Sequence, residues 1–270
     1  MATSNIGQPS IELAGADQPA PEPTDEAETE GGSMTLIEHL EELRRRLFVC
    51  LIAIAVASTV AFIFWNPILG FLLTPLPSIA NSLHPHGGQQ LIVHGIGEAF
   101  TVALELAVVV GIAGASPVVL YQLWGFIAPG LTHRERRYAA PFTFLGVALF
   151  FVGAGVGFLV LRFPVQWLLL FGQGRFDPLI DAGSYFGFVA FFLLAFGVVF
   201  ELPLVLTFLS LIGVVSSRLL RQKRKFAWFG LWIAATFITP GADPYSPIII
   251  GVAMTALYEL SIVLMRAIGK

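Results

Sequence analysis

Charged side chains are scarce in this chain of 270 residues, since Asp, Glu, Lys and Arg together make up only 12% of it. Soluble domains usually carry about a quarter charged residues, whereas 56% of the residues here are hydrophobic and 24 are phenylalanine. This composition excludes an ordinary soluble domain and predicts an integral membrane protein.

Cysteine and the common hydrolase motifs are missing or nearly so. The single cysteine, Cys50, excludes an intramolecular disulfide and is expected to pack as a small apolar side chain. HExxH and GxSxG do not occur, and all five histidines fall outside the apolar runs, which argues against an intramembrane hydrolase. His84 and His86 lack a carboxylate or cysteine at metal-ligand spacing, so a solvated loop is preferred to a metal site, and no cofactor is expected.

Lysine and arginine are absent from residues 1–33, which contain four prolines and seven acidic residues. The acids are Glu12, Asp17, Glu22, Asp25, Glu26, Glu28 and Glu30. Such a segment cannot bury a hydrophobic core, so a disordered acidic tail is predicted. It also lacks the basic leader of a secretory signal and the arginines of an organellar transit peptide.

Long apolar runs are abundant, and a membrane span needs about 20 predominantly apolar residues. The six candidate runs are about 47–70, 103–126, 139–161, 187–212, 226–240 and 246–265. If all six cross, every Lys and Arg except Arg162 and Arg175 falls on one side, and the positive-inside rule places both termini, including residues 267–270, in the cytoplasm. The fifth run would form only about 22 Å of helix, which fits either a half-buried helix or a locally thinned bilayer.

The residues before the first run predict an amphipathic helix that continues into it. Thr35 and Glu38 fit a capping box, and leucines recur at helical spacing after them. The polar side offers two pairs at i, i+4 spacing: Glu41 with Arg45, and Glu42 with Arg46. Taken alone, these are ordinary surface ion pairs worth about 0.3–0.5 kcal/mol each. A permanent first helix is preferred to a cleaved signal, because the apolar run continues past Ala57 to Trp65.

A second cluster of acids and bases follows the second run, in the stretch "FIAPGLTHRERR" (126–137). Pro129 and Gly130 are expected to end the helix, so that a rigid turn presents Glu135 among arginines. Two carboxylates on one face, those of Glu42 and Glu135, could then converge on a pair of guanidinium groups. A carboxylate accepts a guanidinium through two parallel hydrogen bonds, a geometry that a lysine ammonium cannot copy.

Five motifs in these regions resemble the TatC family, whose members are six-span receptor subunits of the twin-arginine protein translocase. The motifs are "HLEELRRRL" (39–47), "LYQLWGFIAPGL" (120–131), "RERR" (134–137), "FELPL" (200–204) and "ITPGADPYS" (238–246). The resemblance covers about residues 34–266. It implies an all-α membrane protein, with six transmembrane helices in a concave bundle and short fifth and sixth spans.

The resemblance also implies a function. Such proteins bind export signals that carry an Arg-Arg pair and, with single-span TatA- and TatB-type partners, move folded cargo across the prokaryotic inner membrane. Energy comes from the proton-motive force, so the chain is not expected to be an enzyme. Self-association and contact with membrane lipids are expected, whereas binding of nucleic acid is not. The signal-binding residues implied are Glu42, Leu43, Arg44, Arg46, Phe126, Glu135, Arg136 and Arg137.

Glu201 is the most unusual residue of the fourth run, because a charge inside a bilayer costs about 2.5–3.5 kcal/mol on insertion scales. Pro203 cannot donate to the carbonyl of Val199, so a kink is expected beside the acid. Two interpretations stay open. Glu201 is either a neutral, hydrogen-bonded structural residue or, as the resemblance implies, a polar site that engages a partner helix or an inserted signal. Glu259, in the sixth run, is expected to reach the interface or to pair with Arg266.

On the outer side, the resemblance assigns Pro75 to a cap over the concave face. Thr239, Pro240 and Asp243 match a tight turn between the fifth and sixth spans, where the TatB-type partner binds in the family. The main alternative function is a proton-coupled carrier of a small solute that uses Glu201. Such carriers usually show internal repeats with interrupted helices in corresponding halves, and none is detectable in this sequence.

Overall fold

The computed structural model describes residues 36–76, 91–127, 139–171, 180–239, 243–267 and 269. By contacts the chain divides into two units, Met1–Leu40 and Glu41–Lys270. Within the described ranges the regular structure is helical, apart from one parallel bridge between Ile92 and Asp181. The all-α prediction is therefore confirmed for this part of the chain.

Ten helices are present in the described residues. They are α1 (Leu36–Ile63), α2 (Trp65–Leu72), α3 (Glu98–Ile127), α4 (Ala139–Val160), α5 (Arg162–Leu170), α6 (Ala182–Val199), α7 (Leu202–Leu211), α8 (Ser217–Gln222), α9 (Arg224–Ile238) and α10 (Tyr245–Ala267).

The predicted amphipathic lead and the first span form one continuous helix, α1, but it ends earlier than expected. The sequence predicted a span to about residue 70, whereas α1 stops at Ile63 and α2 starts at Trp65. Pro67 explains the break, because it has no N–H to donate to the carbonyl of Ile63, four residues earlier. The large apolar side chains of α1 are mostly exposed, as expected for a helix that faces lipid.

Five segments are long and apolar enough to cross a membrane, judged by length and composition among the described residues. They are Ile37–Ile63, Glu98–Ile127, Ala140–Leu170, Ala182–Leu211 and Tyr245–Ala267. The third is longer than the predicted 139–161 because α5 continues it, and the fourth begins five residues earlier than the predicted 187. Helix α9 has 15 residues, or about 22 Å of helix against about 30 Å of hydrocarbon.

The fourth span is interrupted beside Pro203, where a kink was predicted. Helix α6 ends at Val199, and α7 begins at Leu202 with the proline in its first turn. The helix resumes through Glu201, whose carbonyl accepts the N–H of Val205 at 3.0 Å. The acid therefore lies at the joint between two helical segments of the fourth span.

The core forms where α6 packs against α3 and α4. Val189 and Phe192 are fully buried on α6, and Phe196 is 1% exposed. A second cluster joins α3 to α7, with Trp124 at 4.7 Å from Phe208 between ring centroids. Helix α10 packs against both α7 and α9. The short helix α9 is therefore held to the other helices through α10.

Asp181 fixes the beginning of α6. Its Oδ2 accepts the backbone N–H of Ser184 at 2.7 Å, and its Oδ1 lies 3.0 Å from Nδ1 of His94. The bridge to Ile92 holds the backbone on both sides of this contact. Hydrogen bonds from Ser184, and further ones involving Glu98 and His94, hold the pKa of Asp181 well below its ordinary range.

Replacing Asp181 with asparagine should lower the melting temperature at pH 7, because the charged carboxylate is the form that its hydrogen-bond donors favour. A lowered folded-state pKa means that this stabilisation is present above about pH 4 and is lost as the pH falls through the folded-state value. The difference in melting temperature between Asp181→Asn and wild type, measured by thermal unfolding in detergent, should therefore become smaller from pH 7 to pH 3. A difference that stays constant would contradict a stabilising role for the charged carboxylate of Asp181.

Candidate functional site

The first part of the site is a hydrogen-bonded pair on α1 that reaches α3. Arg46 donates from Nε to Oε1 of Glu42 at 2.9 Å and from Nη2 to the same oxygen at 2.6 Å. Its remaining nitrogen, Nη1, donates to Oε1 of Gln122 at 3.0 Å. One guanidinium therefore joins the predicted lead helix to the last turns of α3.

Gly125 makes this approach possible. A Cβ atom at this position would overlap the guanidinium of Arg46. Only glycine leaves the backbone of α3 open there, so the arginine can lie flat against the helix. Trp124, beside it, is 5% exposed and packs against Phe142 and Phe208, which fixes the orientation of the α3 end.

Glu42 is nearly buried, but only one of its oxygens is used. Its side chain is 12% exposed, and both bonds from Arg46 go to Oε1. The second oxygen, Oε2, is buried and accepts no hydrogen bond from the described residues. A buried carboxylate oxygen without a donor is costly, so it calls for a partner that the described residues do not supply. The local chemistry is that of an acceptor for a further cationic donor.

The other residues implied for signal binding are distributed along the same two helices. Leu43 and Arg44 are exposed on α1, and the guanidinium of Arg44 lies 5.7 Å from the ring centre of Phe48. Phe126 is half-buried in the last turn of α3. Glu135, Arg136 and Arg137 lie outside the described residues.

Of the two ion pairs predicted on α1, one forms. Glu42 pairs with Arg46, whereas Glu41 and Arg45 are both exposed and form no ion pair with each other. The difference follows from the helix face. Glu42 and Arg46 point toward α3, where Gln122 supplies an additional acceptor.

Sequence reasoning missed Gln122 and Gly125, although both lie in the motif "LYQLWGFIAPGL". A polar residue and a glycine near the end of an apolar helix were the available signal. Neither residue carries charge, and their importance depends on the position of Arg46, which a single sequence does not reveal.

Glu201 faces α4 at its joint between α6 and α7. A Cβ at Gly146 would lie 3.1 Å from Oε2 of Glu201, so the acid occupies space left by that glycine. Its Oε1 is buried and has no hydrogen-bond partner within the part of the chain that the structure describes. This arrangement places a polar atom in an apolar contact between helices.

At the opposite end, Pro75 lies in the turn that follows α2, and the hydroxyl of Tyr185 donates to the carbonyl of Leu72 at 2.9 Å. Thr239 caps the end of α9, and Pro240 falls outside the described residues. Asp243 is 4% exposed and accepts both the N–H and the hydroxyl of Ser246 at 2.7 Å. Its carboxylate therefore shapes the turn before α10.

Glu259 pairs with a different arginine from the one considered in the sequence. Its Oε2 accepts Nη2 of Arg224 at 2.6 Å, and its Oε1 accepts the indole N–H of Trp228 at 3.2 Å. Of the two alternatives for Glu259, the pairing with Arg266 is therefore wrong, and its reach to the interface stays a prediction. The two turns of α10 between Glu259 and Arg266 separate these residues, whereas the first turn of α9 packs beside Glu259.

Comparison with known proteins identifies the group to which these features belong. Residues 38–252 match the family model described as "Sec-independent protein translocase protein (TatC)". A Sec-independent protein translocase protein TatC from Deinococcus radiodurans is 39% identical over 253 residues, covering 92% of each chain. The corresponding protein from Carboxydothermus hydrogenoformans is 35% identical and covers 87% of this chain and 94% of its own. The TatC protein from Frankia casuarinae is 36% identical, and the match spans 66% of its length.

A solved structure agrees with the sequence matches. The crystal structure of a twin arginine translocase receptor, TatC, superposes with a TM-score of 0.70 at 30% identity. The superposition covers 86% of this chain and all of the other. A crystal structure of a twin arginine translocase receptor, TatC, in DDM gives a TM-score of 0.71 at 31% identity and covers 84% of this chain and 99% of the other. Both likenesses extend over most of the helices described above.

Proposed function

The chain belongs to the TatC family, and we propose that the surface formed by Glu42, Arg46 and the end of α3 binds the Arg-Arg pair of export signal peptides. The chain is a core subunit of the Sec-independent, twin-arginine protein translocase. It is a multi-pass protein of the bacterial inner membrane, and a transport component rather than an enzyme.

One observation carries the proposal: Oε2 of Glu42 is buried without a hydrogen bond from the described residues. An incoming guanidinium can donate to this oxygen once the side chains that cover it move aside, while Arg46 keeps Oε1. Hydrogen bonds to charged groups contribute about 1.5–3 kcal/mol each. The geometry of the guanidinium fork then favours arginine over lysine at the contacted position.

The remaining implied residues complete the proposed site. Glu135 supplies a second carboxylate for the second arginine of the signal, and Arg136 and Arg137 follow it directly in the sequence. Leu43 and Phe126 provide apolar contacts for the residues that follow the Arg-Arg pair, and Arg44 lies beside them on α1. The support for this set is the proximity of α1 to the end of α3, since Glu135 follows α3 in the sequence.

We propose six spans with both termini in the cytoplasm. Helix α9 is the fifth span, and its lysine- and arginine-rich beginning lies on the same side as the arginines of α1. Its 15 residues are too short for an average bilayer, so the membrane thins locally or the helix ends stay within protein.

The proposed partners are single-span TatA- and TatB-type subunits and further copies of this chain, with transport driven by the proton-motive force. The outer turn, with Thr239, Pro240 and Asp243, and the cap at Pro75 are the proposed partner contacts. Glu201 is the proposed intramembrane contact for a polar residue of a partner helix or an inserted signal. Its unpartnered Oε1 supports that assignment.

The test is a binding comparison with the purified full-length chain in detergent. A signal peptide with Arg-Arg should be retained on the immobilised protein, and the same peptide with Lys-Lys should be lost on washing. Equal retention of the two peptides would remove guanidinium recognition from the function. Flux of a small solute by the protein alone, without signal retention, would favour the carrier instead.

A further inference from the structure

A cavity lined by basic side chains lies at the beginning of α9, and none of its lining residues belongs to the proposed signal-binding surface. Its volume is about 370 Å³, and its walls are formed by Arg218, Arg221, Gln222 and Arg224. The short helix α8 supplies the first three residues and packs against both α9 and α10. The hydroxyl of Tyr258 on α10 donates to the carbonyl of Leu220 at 2.8 Å, which holds α8 in place.

Positive charge in this cavity is only partly neutralised. Arg224 pairs with Glu259 through Nη2, but its Nε is buried and donates to no acceptor in the described ranges. Arg218 and Arg221 are exposed and form no ion pair with any carboxylate that the structure describes. Three guanidinium groups therefore face one carboxylate, which leaves a net positive site with unused donors.

The surroundings of the cavity are those of a membrane surface. Phe226 and Phe229, in the first two turns of α9, are 75% and 69% exposed. The ammonium of Lys223 lies 5.8 Å from the ring centre of Phe226, and the indole of Trp228 donates to Glu259. Trp rings such as that of Trp228 are enriched where headgroups meet hydrocarbon, and Lys and Arg are enriched on the cytoplasmic side of the membrane. Exposed Phe rings beside them suit the adjoining hydrocarbon.

From this combination we propose that the cavity binds the phosphate of an acidic phospholipid headgroup. Guanidinium forks bind phosphate oxygens through paired hydrogen bonds, and three of them line one cavity. The acyl chains of the lipid would then lie along the exposed Phe226 and Phe229. Basic clusters at a membrane surface attract anionic lipids. The inference goes beyond signal binding and does not depend on it.

Two other anions share part of this chemistry. Free inorganic phosphate can bind the guanidinium groups, but it leaves the exposed rings of Phe226 and Phe229 uncovered. The acidic segment 1–33 offers carboxylates, but its only large aliphatic residues are Ile6, Ile11 and Leu13. The lipid is favoured because its phosphate matches the charge of the cavity and its long acyl chains match the apolar surface next to it.

The experiment measures lipid retention by native mass spectrometry of the full-length chain, with phosphatidylglycerol or phosphatidylethanolamine added at equal concentration. Wild type should retain phosphatidylglycerol, and the double variant Arg218→Gln/Arg221→Gln should retain at least fivefold less. The matched control Arg45→Gln/Arg266→Gln removes the same charge from exposed positions outside the cavity and should bind as wild type does. Retention of an Arg-Arg signal peptide should be equal in all three proteins.

A second variant keeps the test valid if the first does not fold. Arg218→Lys/Arg221→Lys preserves charge but loses the paired hydrogen bonds, and should reduce phosphatidylglycerol retention two- to threefold. Equal retention by wild type and both cavity variants would overturn the proposal. So would displacement of the lipid by millimolar inorganic phosphate, which would indicate a free-anion site. A fivefold gain in phosphatidylglycerol retention on deletion of residues 1–33 would mean that the acidic tail occupies the cavity in the full-length chain. That result would also overturn the proposal.

Discussion

Replacing Glu42 with glutamine should reduce the retention of an Arg-Arg signal peptide by at least about tenfold. The substitution removes the charge behind the buried, unpartnered oxygen of Glu42. A hydrogen bond to a charged group contributes about 1.5–3 kcal/mol, and about 1.4 kcal/mol corresponds to a tenfold change in affinity. The measurement is peptide titration against the purified full-length chain in detergent, at low ionic strength.

Two control variants separate this effect from charge and from packing. Glu41→Gln removes the same charge one position earlier, from an exposed side chain with no ion pair to Arg45, and should bind as wild type does. Gln122→Leu removes one hydrogen bond of Arg46 but leaves the Glu42 carboxylate intact. Its loss of signal-peptide affinity should therefore be several-fold smaller than that of Glu42→Gln. Equal losses for Glu41→Gln and Glu42→Gln would indicate a diffuse electrostatic effect and contradict the proposed site.

The second acid should behave in the same way if the two carboxylates act together. Glu135→Gln should also lower signal retention, and the double variant with Glu42→Gln should lose less than the product of the two single losses. Residues that bind one ligand as a unit are not additive. Strictly multiplicative losses would mean that the two acids contact the peptide independently.

Helix boundaries were predictable where one residue decides them. Pro203 predicted the joint at Glu201, and the helix does stop at Val199 and resume at Leu202. Pro67 acts by the same mechanism, but it lies inside an apolar run, where hydropathy alone predicted a single span to residue 70. Hydropathy therefore located five of the six predicted spans in the right order, but it predicted their ends poorly, and α9 is too short to qualify by length.

The candidate site was predictable only in its charged residues. Glu42 and Arg46 were expected to pair, because i, i+4 spacing places them on one face of a helix. The roles of Gln122 and Gly125 depend on how separate helices pack. The same is true of the pairing of Glu259 with Arg224. Packing between helices in a membrane rests on small residues and single polar contacts, and these leave no periodic pattern in one sequence.

Gly153 on α4 is the clearest case of such packing. A Cβ there would lie 2.6 Å from the carbonyl oxygen of Phe196 and 2.7 Å from Cβ of Phe200. Both contacts belong to α6 or its end, the helix that carries the core. Since one of the atoms is backbone, no rotamer change can relieve the overlap, and the two helices must separate.

Gly153→Ala should therefore lower stability by about 1–3 kcal/mol, the usual cost of overpacking a well-packed core. Gly155→Ala is the matched control, because a Cβ at that position of the same helix meets nothing within 4 Å. The control should equal wild type in thermal unfolding in detergent, or exceed it slightly, since alanine favours helix over glycine. Because Glu201 follows Phe200 directly, separation of α4 from α6 should also expose the acid and weaken any contact made through it. If both variants unfold at the same temperature, the close approach of α4 and α6 does not support the fold.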